Sequence, residues 1–455
     1  MPHYLSPSEL QQTAPAETGS FRSPVPTQIV SNGEFNPLPQ TREQQRVEAR
    51  IKEMAEQLGP RHGVSRRGFL ASAAGMAAAF LAMNEVFGPL FEVTAAEAQQ
   101  PGVAAARADG LAGQFIFDVQ THFVRDDFKQ DGLLDLAKYA KQHWNPALAG
   151  EKDLARYKFE NYVKEIYVDS DTKVALLSGA PFDDPTWDLL SNDQIAAARA
   201  AINRIAGSRR LLAHTVFTPK KSGWLSEVDR AIATLKPDSW KGYTIGDPLF
   251  PSKLGSFWRL DDEKLMYPFY EKISKSGINT VCIHKGLLPL DYEKSWAGAW
   301  EYATVADLGK AAKDWPKINF VIYHGALRAF LEPPAAALAE FDQTGRIKWA
   351  TDLAEIPAKF GVNNVYAEIG TAFANSAVAD PRFAAAFVGT LMRGMGAERV
   401  LWGSDSVWYG SPQWQIEALR RLEIPAEMQK KHGFAPLGPA DGMVKSAIFG
   451  GNAAS

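Results

Sequence analysis

The sequence predicts a (β/α)8 barrel, with a helical insertion after the first strand and a disordered N-terminal extension. First, eight short apolar runs follow one another between residues 115 and 425. Second, helical patterns alternate with these runs, as in a parallel α/β fold. Third, the first run is not followed by the glycine-rich turn that a doubly wound dinucleotide-binding sheet would place there. A closed barrel is therefore favoured over an open sheet.

The apolar runs are interpreted as buried parallel strands, because several are rich in Val, Ile, Phe and Tyr. They span 115–119, 173–177, 211–217, 242–245, 280–284, 320–324, 365–369 and 400–403. The helical candidates between them span 193–206, 225–235, 265–275, 304–314, 384–395 and 414–422. The barrel is expected over 115–425, followed by a C-terminal tail at 426–455.

The segment between the first two strands, 123–171, is long for a βα connection. It carries two further helical patterns, at 133–144 and 155–166. Because this connection leaves the end of the barrel where active sites lie, we interpret it as a rim or lid insertion.

Composition and charge exclude several classes of protein. Lys and Arg number 49 against 52 Asp and Glu, giving a net charge of -3, so a nucleic-acid binder driven by phosphate neutralisation is not expected. Hydrophobic residues make up 46% of the chain, enough for a large core. The single cysteine, Cys282, excludes an internal disulfide framework and a cysteine-based zinc site.

The first 62 residues are predicted to be a disordered extension with one short helix. Residues 1–40 are rich in Pro, Gln, Ser and Thr, which is typical of disorder. Apolar side chains then recur at helical spacing within 41–58, at Val47, Ile51, Met54 and Leu58.

Residues 63–98 resemble a twin-arginine export signal. Arg66 and Arg67 precede an alanine-rich apolar run at 71–82, and Ala96-Glu97-Ala98 resembles a cleavage site. The run is too short and too rich in alanine to predict a membrane span. The signal predicts a periplasmic protein that uses the twin-arginine export machinery. An ordinary alanine-rich helix is the alternative.

Four chemically versatile residues follow predicted strands directly. His122, His284 and His324 end strands one, five and six, and Asp405 follows strand eight. In a (β/α)8 barrel these strand ends meet at one rim, where catalysis takes place. Imidazoles with a carboxylate fit zinc, manganese or iron(II), and a bound ion lowers the pKa of its water toward ~7. The remaining histidines have no such companions.

The residues at these strand ends resemble those of a known superfamily. The stretches concerned are Asp118-Val119-Gln120-Thr121-His122, Ile283-His284-Lys285-Gly286, Tyr323-His324-Gly325 and Trp402-Gly403-Ser404-Asp405. They resemble signature points of the amidohydrolase superfamily, closest to the amidohydrolase-related family that includes aminocarboxymuconate semialdehyde decarboxylase and the hydroxybenzoate decarboxylases. The stretches 260–270 and 364–368 resemble the same family, so the resemblance covers 115–425.

The resemblance implies roles for these residues. His122 and His284 would be metal ligands, Asp405 a ligand or proton acceptor, and His324 the acid/base. The departure is Gln120, where the family usually has a histidine. A glutamine amide oxygen is neutral and binds such ions weakly, so Gln120 is either a weak ligand or a partner of the metal-bound water, and a metal-depleted protein stays possible.

The pocket is expected to use residues next to these strand ends. Trp258 and other loop aromatics would form an apolar wall, and Arg259 and Lys285 are candidate anchors for a substrate carboxylate. Both could equally be surface charges, and this alternative is favoured for Arg259. The Lys285 side chain would face either the metal or a helix. Glu368 ends strand seven and would contact the substrate or support a metal ligand.

Together these features predict a metal-dependent hydrolase or non-oxidative decarboxylase holding one divalent ion, zinc foremost, with manganese or iron as alternatives. The substrate would be a small carboxylate, lactone or amide, with aromatic and unsaturated compounds among the candidates, and a homo-oligomer is a candidate assembly. The alternative is a metal-poor barrel acting as an exported ligand-binding or assembly protein.

Overall fold

Eight parallel strands form a single sheet in sequence order in the computed structural model of this chain. The structure describes residues 22–28, 39–130, 154–249, 251–328 and 334–455. The strands are β1 Phe117–Thr121, β2 Val174–Leu177, β3 Leu211–Val216, β4 Ser239–Tyr243, β5 Thr280–His284, β6 Asn319–Tyr323, β7 Val365–Glu368 and β8 Val400–Leu401. The predicted (β/α)8 barrel is confirmed.

The sheet curls until β8 meets β1. The Val119 amide donates to the Trp402 carbonyl at 3.1 Å, and Thr121 forms a parallel bridge with Ser406. These bonds bring the residues that follow β8 beside the end of β1. Side chains that follow the strands therefore share one rim, as the sequence predicted.

Strand bounds agree best where the apolar run is uninterrupted. β5 has the predicted bounds, whereas β4 begins three residues before the predicted 242. The reason is chemical: Ser239 and Lys241 break the apolar run, yet both side chains are buried in the barrel.

The α-helices of the described ranges lie outside the strands and at both ends of the chain. They are α1 Arg42–Arg61, α2 Arg66–Leu70, α3 Ala73–Phe87, α4 Ala95–Gln99, α5 Pro101–Leu111, α6 Phe159–Val163, α7 Asn192–Ala206, α8 Trp224–Arg230, α9 Tyr267–Ser276, α10 Tyr292–Ser295, α11 Leu308–Asp314, α12 Pro334–Thr344, α13 Ala350–Phe360, α14 Ala372–Ala379, α15 Pro381–Met395, α16 Gln413–Arg421, α17 Ala426–His432, α18 Met443–Ser446 and α19 Asn452–Ala454. The predicted helix at 133–144 lies outside the described residues.

Both ends of the chain pack onto the barrel. α1 begins at a capping box on Thr41 and buries its apolar face, including Val47 and Ile51. At the other end, the Trp402 amide donates to the Ile448 carbonyl, and Lys445 is buried against Glu423. In the described part of the chain, no helix has the length and apolarity that crossing a bilayer requires.

Candidate active site

The four residues predicted at the rim meet there, arranged as two contacting pairs. His122 Nε2 lies 3.1 Å from Asp405 Oδ1, and His324 Nε2 lies 3.2 Å from His284 Nδ1. Gln120 joins the pairs, because its amide nitrogen lies 3.4 Å from His324 Nε2. All five side chains are buried, so these contacts form in a medium that screens charge poorly.

His122 contacts Asp405 through Nε2 and a backbone carbonyl through Nδ1. His122 Nδ1 lies 3.0 Å from the Ser178 carbonyl, which can only accept, so Nδ1 carries a proton. Nε2 faces the Asp405 carboxylate, where it would donate if protonated or leave its lone pair for a metal ion if not. Burial works to raise the pKa of Asp405, but its contacts with His122, His324 and Thr371 hold that pKa below its usual range. The pair therefore provides a place for a cation.

Gln120 lines the same cavity as His122 and Asp405. Its Oε1 atom is buried and has no hydrogen-bond partner within the described ranges. The Asp118 side chain holds the backbone of Gln120 in place. Its Oδ1 atom accepts the backbone amide of Gln120 at 3.2 Å and that of Ser404 at 2.9 Å. Burial raises the pKa of Asp118 to about 7.

An ion bound at this cavity would have His122, Asp405 and the Gln120 amide as its donors. No group of three His, Cys, Asp or Glu side chains with metal-site spacing exists in the portion of the chain that the structure covers. An imidazole, a carboxylate and an amide oxygen are a chemically suitable but weak set for a borderline-soft ion.

His284 and His324 form a second unit behind Gln120. His324 Nδ1 lies 2.8 Å from the Gly370 carbonyl and so carries the proton, which leaves Nε2 as the acceptor toward His284. Burial lowers the pKa of His324 to about 4, and burial with the neighbouring imidazole of His324 lowers that of His284 well below its usual value. Both rings are therefore neutral near pH 7. His284, predicted as a ligand, contacts His324 in the structure and stacks on Tyr243.

Glu368 holds the two strand ends that carry this unit. Its carboxylate accepts the backbone amide of His324 at 3.0 Å and also that of Gly370. Burial raises the pKa of Glu368 to about 8. Its contacts within the described structure are with backbone groups that orient His324, so the predicted substrate contact of Glu368 is replaced by a positioning role.

Replacing Glu368 with glutamine is expected to reduce kcat about 10- to 100-fold, because an amide presents only one acceptor to the two backbone donors and His324 loses its fixed orientation. KM should change less than kcat. Steady-state kinetics on Glu368→Gln checks this, with the surface variant Glu355→Gln as the control. A variant with full kcat would contradict the positioning role.

Under the rim, the barrel interior carries a buried cation that the sequence analysis missed. The Lys241 Nζ atom lies 3.3 Å from the centroid of the Tyr323 ring, and the Tyr323 hydroxyl donates to the Val119 carbonyl at 2.7 Å. His214 contacts that hydroxyl at 2.8 Å and Ser239 at 2.8 Å. Lys241 thus places a positive charge beneath the imidazoles.

A small cavity of about 40 Å³ opens beside the first pair. Its walls are mostly apolar, and Asp405 is the charged side chain among the described residues that line it. The lining residues are Gln120, His122, Ala180, Phe182, Trp187, Leu189, Tyr243, Pro248, Leu249, Asp405 and Trp408. The volume accommodates a few water molecules, since each needs at least about 10–15 Å³ by this kind of measure.

The predicted carboxylate anchors lie elsewhere. Lys285 is fully buried in an ion pair with Asp307 at 2.9 Å, and Arg259 forms a two-bond contact with Asp261. Trp258 is buried against Phe217. None of the three lines the cavity beside His122 and Asp405, so the predicted substrate contacts of Trp258 and Lys285 are corrected. Arg259 is the partly exposed surface charge that the sequence analysis also offered.

The aromatic wall was also missed. Trp408 stacks on His122 with ring centroids 5.8 Å apart, and Tyr243 stacks on His284 at 4.9 Å. Trp187 lies on a loop that Arg125 holds through backbone carbonyls. Tyr243 lies within the predicted strand, two residues after Lys241. Because side chains two positions apart on a strand face the same side, this spacing could have indicated that Tyr243 faces the barrel interior.

Comparison with protein families supports the amidohydrolase superfamily. Residues 233–455 match the family described as Amidohydrolase, from just before β4 to the end of the chain. The matched region contains His284, His324 and Asp405, whereas Gln120 and His122 lie before it. This match supports an enzyme. A search of curated proteins gave no match.

Three solved structures illustrate the proteins that have a similar fold. An uncharacterised TIM-barrel protein of Bordetella bronchiseptica is 14% identical, with a TM-score of 0.45, over 74% of this chain and 96% of that one. A manganese-bound 5-carboxyvanillate decarboxylase of Novosphingobium aromaticivorans is 13% identical, with a TM-score of 0.44, over 76% and 97%. A probable 2-pyrone-4,6-dicarboxylic acid hydrolase of Acinetobacter baumannii is 11% identical, with a TM-score of 0.40, over 74% and 97%.

Proposed function

We propose that this chain is a metal-dependent hydrolase of the amidohydrolase superfamily that acts on a small uncharged acyl compound, a lactone or an amide. The observation that carries this proposal is that His122 Nε2 and Asp405 Oδ1 lie 3.1 Å apart beside a cavity large enough for water, which Gln120 also lines. A buried carboxylate beside an imidazole nitrogen favours a bound cation.

Gln120, His122 and Asp405 would hold the ion. A divalent ion, zinc or manganese, supplies Lewis acidity when bound and makes its water acidic enough to ionise near neutral pH. The protein's part is to orient the reactants and to hold protons. Asp405 is ionised at neutral pH and borders the cavity, so it can accept a proton from water. His324 is neutral there and can hold a proton at Nε2.

The cavity supports an uncharged substrate. Asp405 is the charged side chain among the described lining residues, and no lysine or arginine is among them. Lys285 and Arg259 are paired with Asp307 and Asp261, so neither is available as an anchor. Hydrolysis of a neutral acyl group therefore suits the pocket better than decarboxylation of an aromatic acid.

The test combines metal analysis with a matched substrate screen. Protein purified without added metal is expected to take up about one equivalent of zinc or manganese and then to hydrolyse simple lactones or aryl amides. A chelator should abolish this activity, and added metal should restore it. Carbon dioxide release from a hydroxybenzoate, with no lactone or amide turnover, would instead assign the protein to the decarboxylases.

A second candidate function is an exported, metal-poor binding barrel. Two observations favour it. The amide oxygen of Gln120 would be an uncharged metal ligand, and no three His, Cys, Asp or Glu side chains of the described ranges are grouped so that they could hold a metal ion. Failure to bind zinc or manganese even at millimolar concentration would support this candidate. Twin-arginine export, a periplasmic location and a homo-oligomer stay predictions, and cell fractionation and light scattering test them.

A further inference from the structure

The barrel carries a large intramolecular interface on its outer surface. Residues 42–111, here called the N-terminal cap, pack against the barrel as part of one continuous apolar core. Ile51 of α1 and Phe80 of α3 are both 0% exposed. The Gln44 side chain reaches the Val378 carbonyl of α14. Such complete burial is typical of a permanent part of a domain rather than of a removable leader.

A two-stranded backbone contact joins the cap to the end of α16. The Glu92 amide donates to the Arg421 carbonyl at 2.7 Å, and the Glu423 amide donates to the Leu90 carbonyl at 2.8 Å. Asn84 fixes the approach, because its side chain bonds the backbone of Leu90 and Phe91. Removing the cap would leave these backbone groups without partners in an apolar surrounding.

Buried charges make the same connection. Glu97 of the cap lies 2.9 Å from Arg421, and Arg107 of the cap lies 3.1 Å from Glu417. Arg421 and Glu417 also contact each other at 3.1 Å. All four side chains are at least four-fifths buried, so loss of either cap residue would unbalance the charges of a buried network.

The residues that resemble an export signal are divided between surface and interior. Arg67 is exposed, whereas Phe69 is 0% exposed and packs within the core. Ala98, at the cleavage-like position, is 2% exposed and lies in helix α4 beside Glu97. Proteases cleave exposed, irregular segments in preference to buried helices. The folded protein therefore protects this position.

We infer that the barrel surface formed by α14 and α16 is an interaction surface for residues 42–111 of the same chain, and that these residues stay bound in the working protein. The inference is independent of the proposed activity. It concerns retention of the segment and holds whether or not the protein is exported.

A nicking experiment on the full chain tests the inference. Ala112 and Gly113 are exposed between the cap and β1, so a specific protease site can be placed there. After cleavage, the N-terminal fragment is expected to co-elute with the barrel in size-exclusion chromatography until denaturant is added. A fragment that separates from a barrel with an unchanged circular dichroism spectrum would overturn the inference.

Point variants give a second, independent measurement. Glu97→Ala should lower Tm by more than about 5 °C, because it removes one of the two buried carboxylates that Arg107 and Arg421 share and leaves Glu417 to both of them. Glu85→Ala breaks an exposed pair with Arg50 and should leave Tm nearly unchanged. Equal, small shifts for the two variants would overturn the inference. So would a mature N-terminus at Gln99, found by mass spectrometry of protein produced in a host with twin-arginine export.

Discussion

Replacing His324 with alanine is expected to lower kcat/KM by about 10²- to 10⁴-fold while leaving the bound metal in place. His324 contacts His284 and Gln120, but its acceptor Nε2 is not part of the pair that faces the cavity. The variant removes the proton acceptor and spares His122 and Asp405. Kinetics with saturating metal, together with elemental analysis of the same sample, check both halves of the expectation.

His432→Ala is a suitable control for this variant, because His432 lies in α17 and packs against Phe341, remote from the rim. Its activity should equal that of the unchanged protein. If His324→Ala lost its metal, His324 would be a ligand and the division into an ion-holding pair and a proton-holding pair would be wrong. Full activity in the variant would remove His324 from the reaction altogether.

The barrel could be predicted because its strands are apolar where they are buried and polar where they end. His284 and His324 both end such runs, and the structure places both at the rim. This pattern of apolar strands with polar ends does not indicate which of the rim residues contact one another. That depends on ring orientation, which the carbonyls of Ser178 and Gly370 fix from other strands. The pairing was therefore beyond sequence analysis.

Charged residues inside the barrel were the least predictable feature. Lys241 resembles a surface residue by composition, yet it lies over Tyr323 in the interior. Lys285 was a candidate anchor for the substrate, but Asp307, 22 positions away, holds it in the core. In both cases the partner is distant in sequence, and a local pattern cannot reveal such a partner.

In the N-terminal region, too, the local sequence pattern does not reveal which residues contact one another. An apolar run after Arg66 and Arg67 suits an export signal, and it equally suits a helix that packs against a domain. The sequence gives hydrophobicity but no contact partner. The structure adds Phe91 beside Leu422 and Glu97 beside Arg421, so the alanine-rich helix that stood as the alternative describes how α3 packs.

Replacing Gln120 with histidine is expected to tighten zinc binding by at least about tenfold. Loss of an outer partner of a metal ligand already costs about 10- to 100-fold in affinity, so the gain of a direct imidazole ligand should be no smaller. Gln120 lines the same cavity as His122 and Asp405, which places the new ring within the same site. Calorimetric titration of metal-free protein with zinc measures the change.

Gln120→Asn is the matched control, because it keeps the amide but shortens the side chain by one methylene group. It should bind zinc more weakly than the unchanged protein. If Gln120→His bound zinc no better, position 120 would be too far from His122 and Asp405 to share an ion with them, and the proposed three-donor set would be wrong. If only Gln120→His bound zinc, the unchanged chain would be the metal-poor binding barrel, because a single neutral amide would account for the missing affinity.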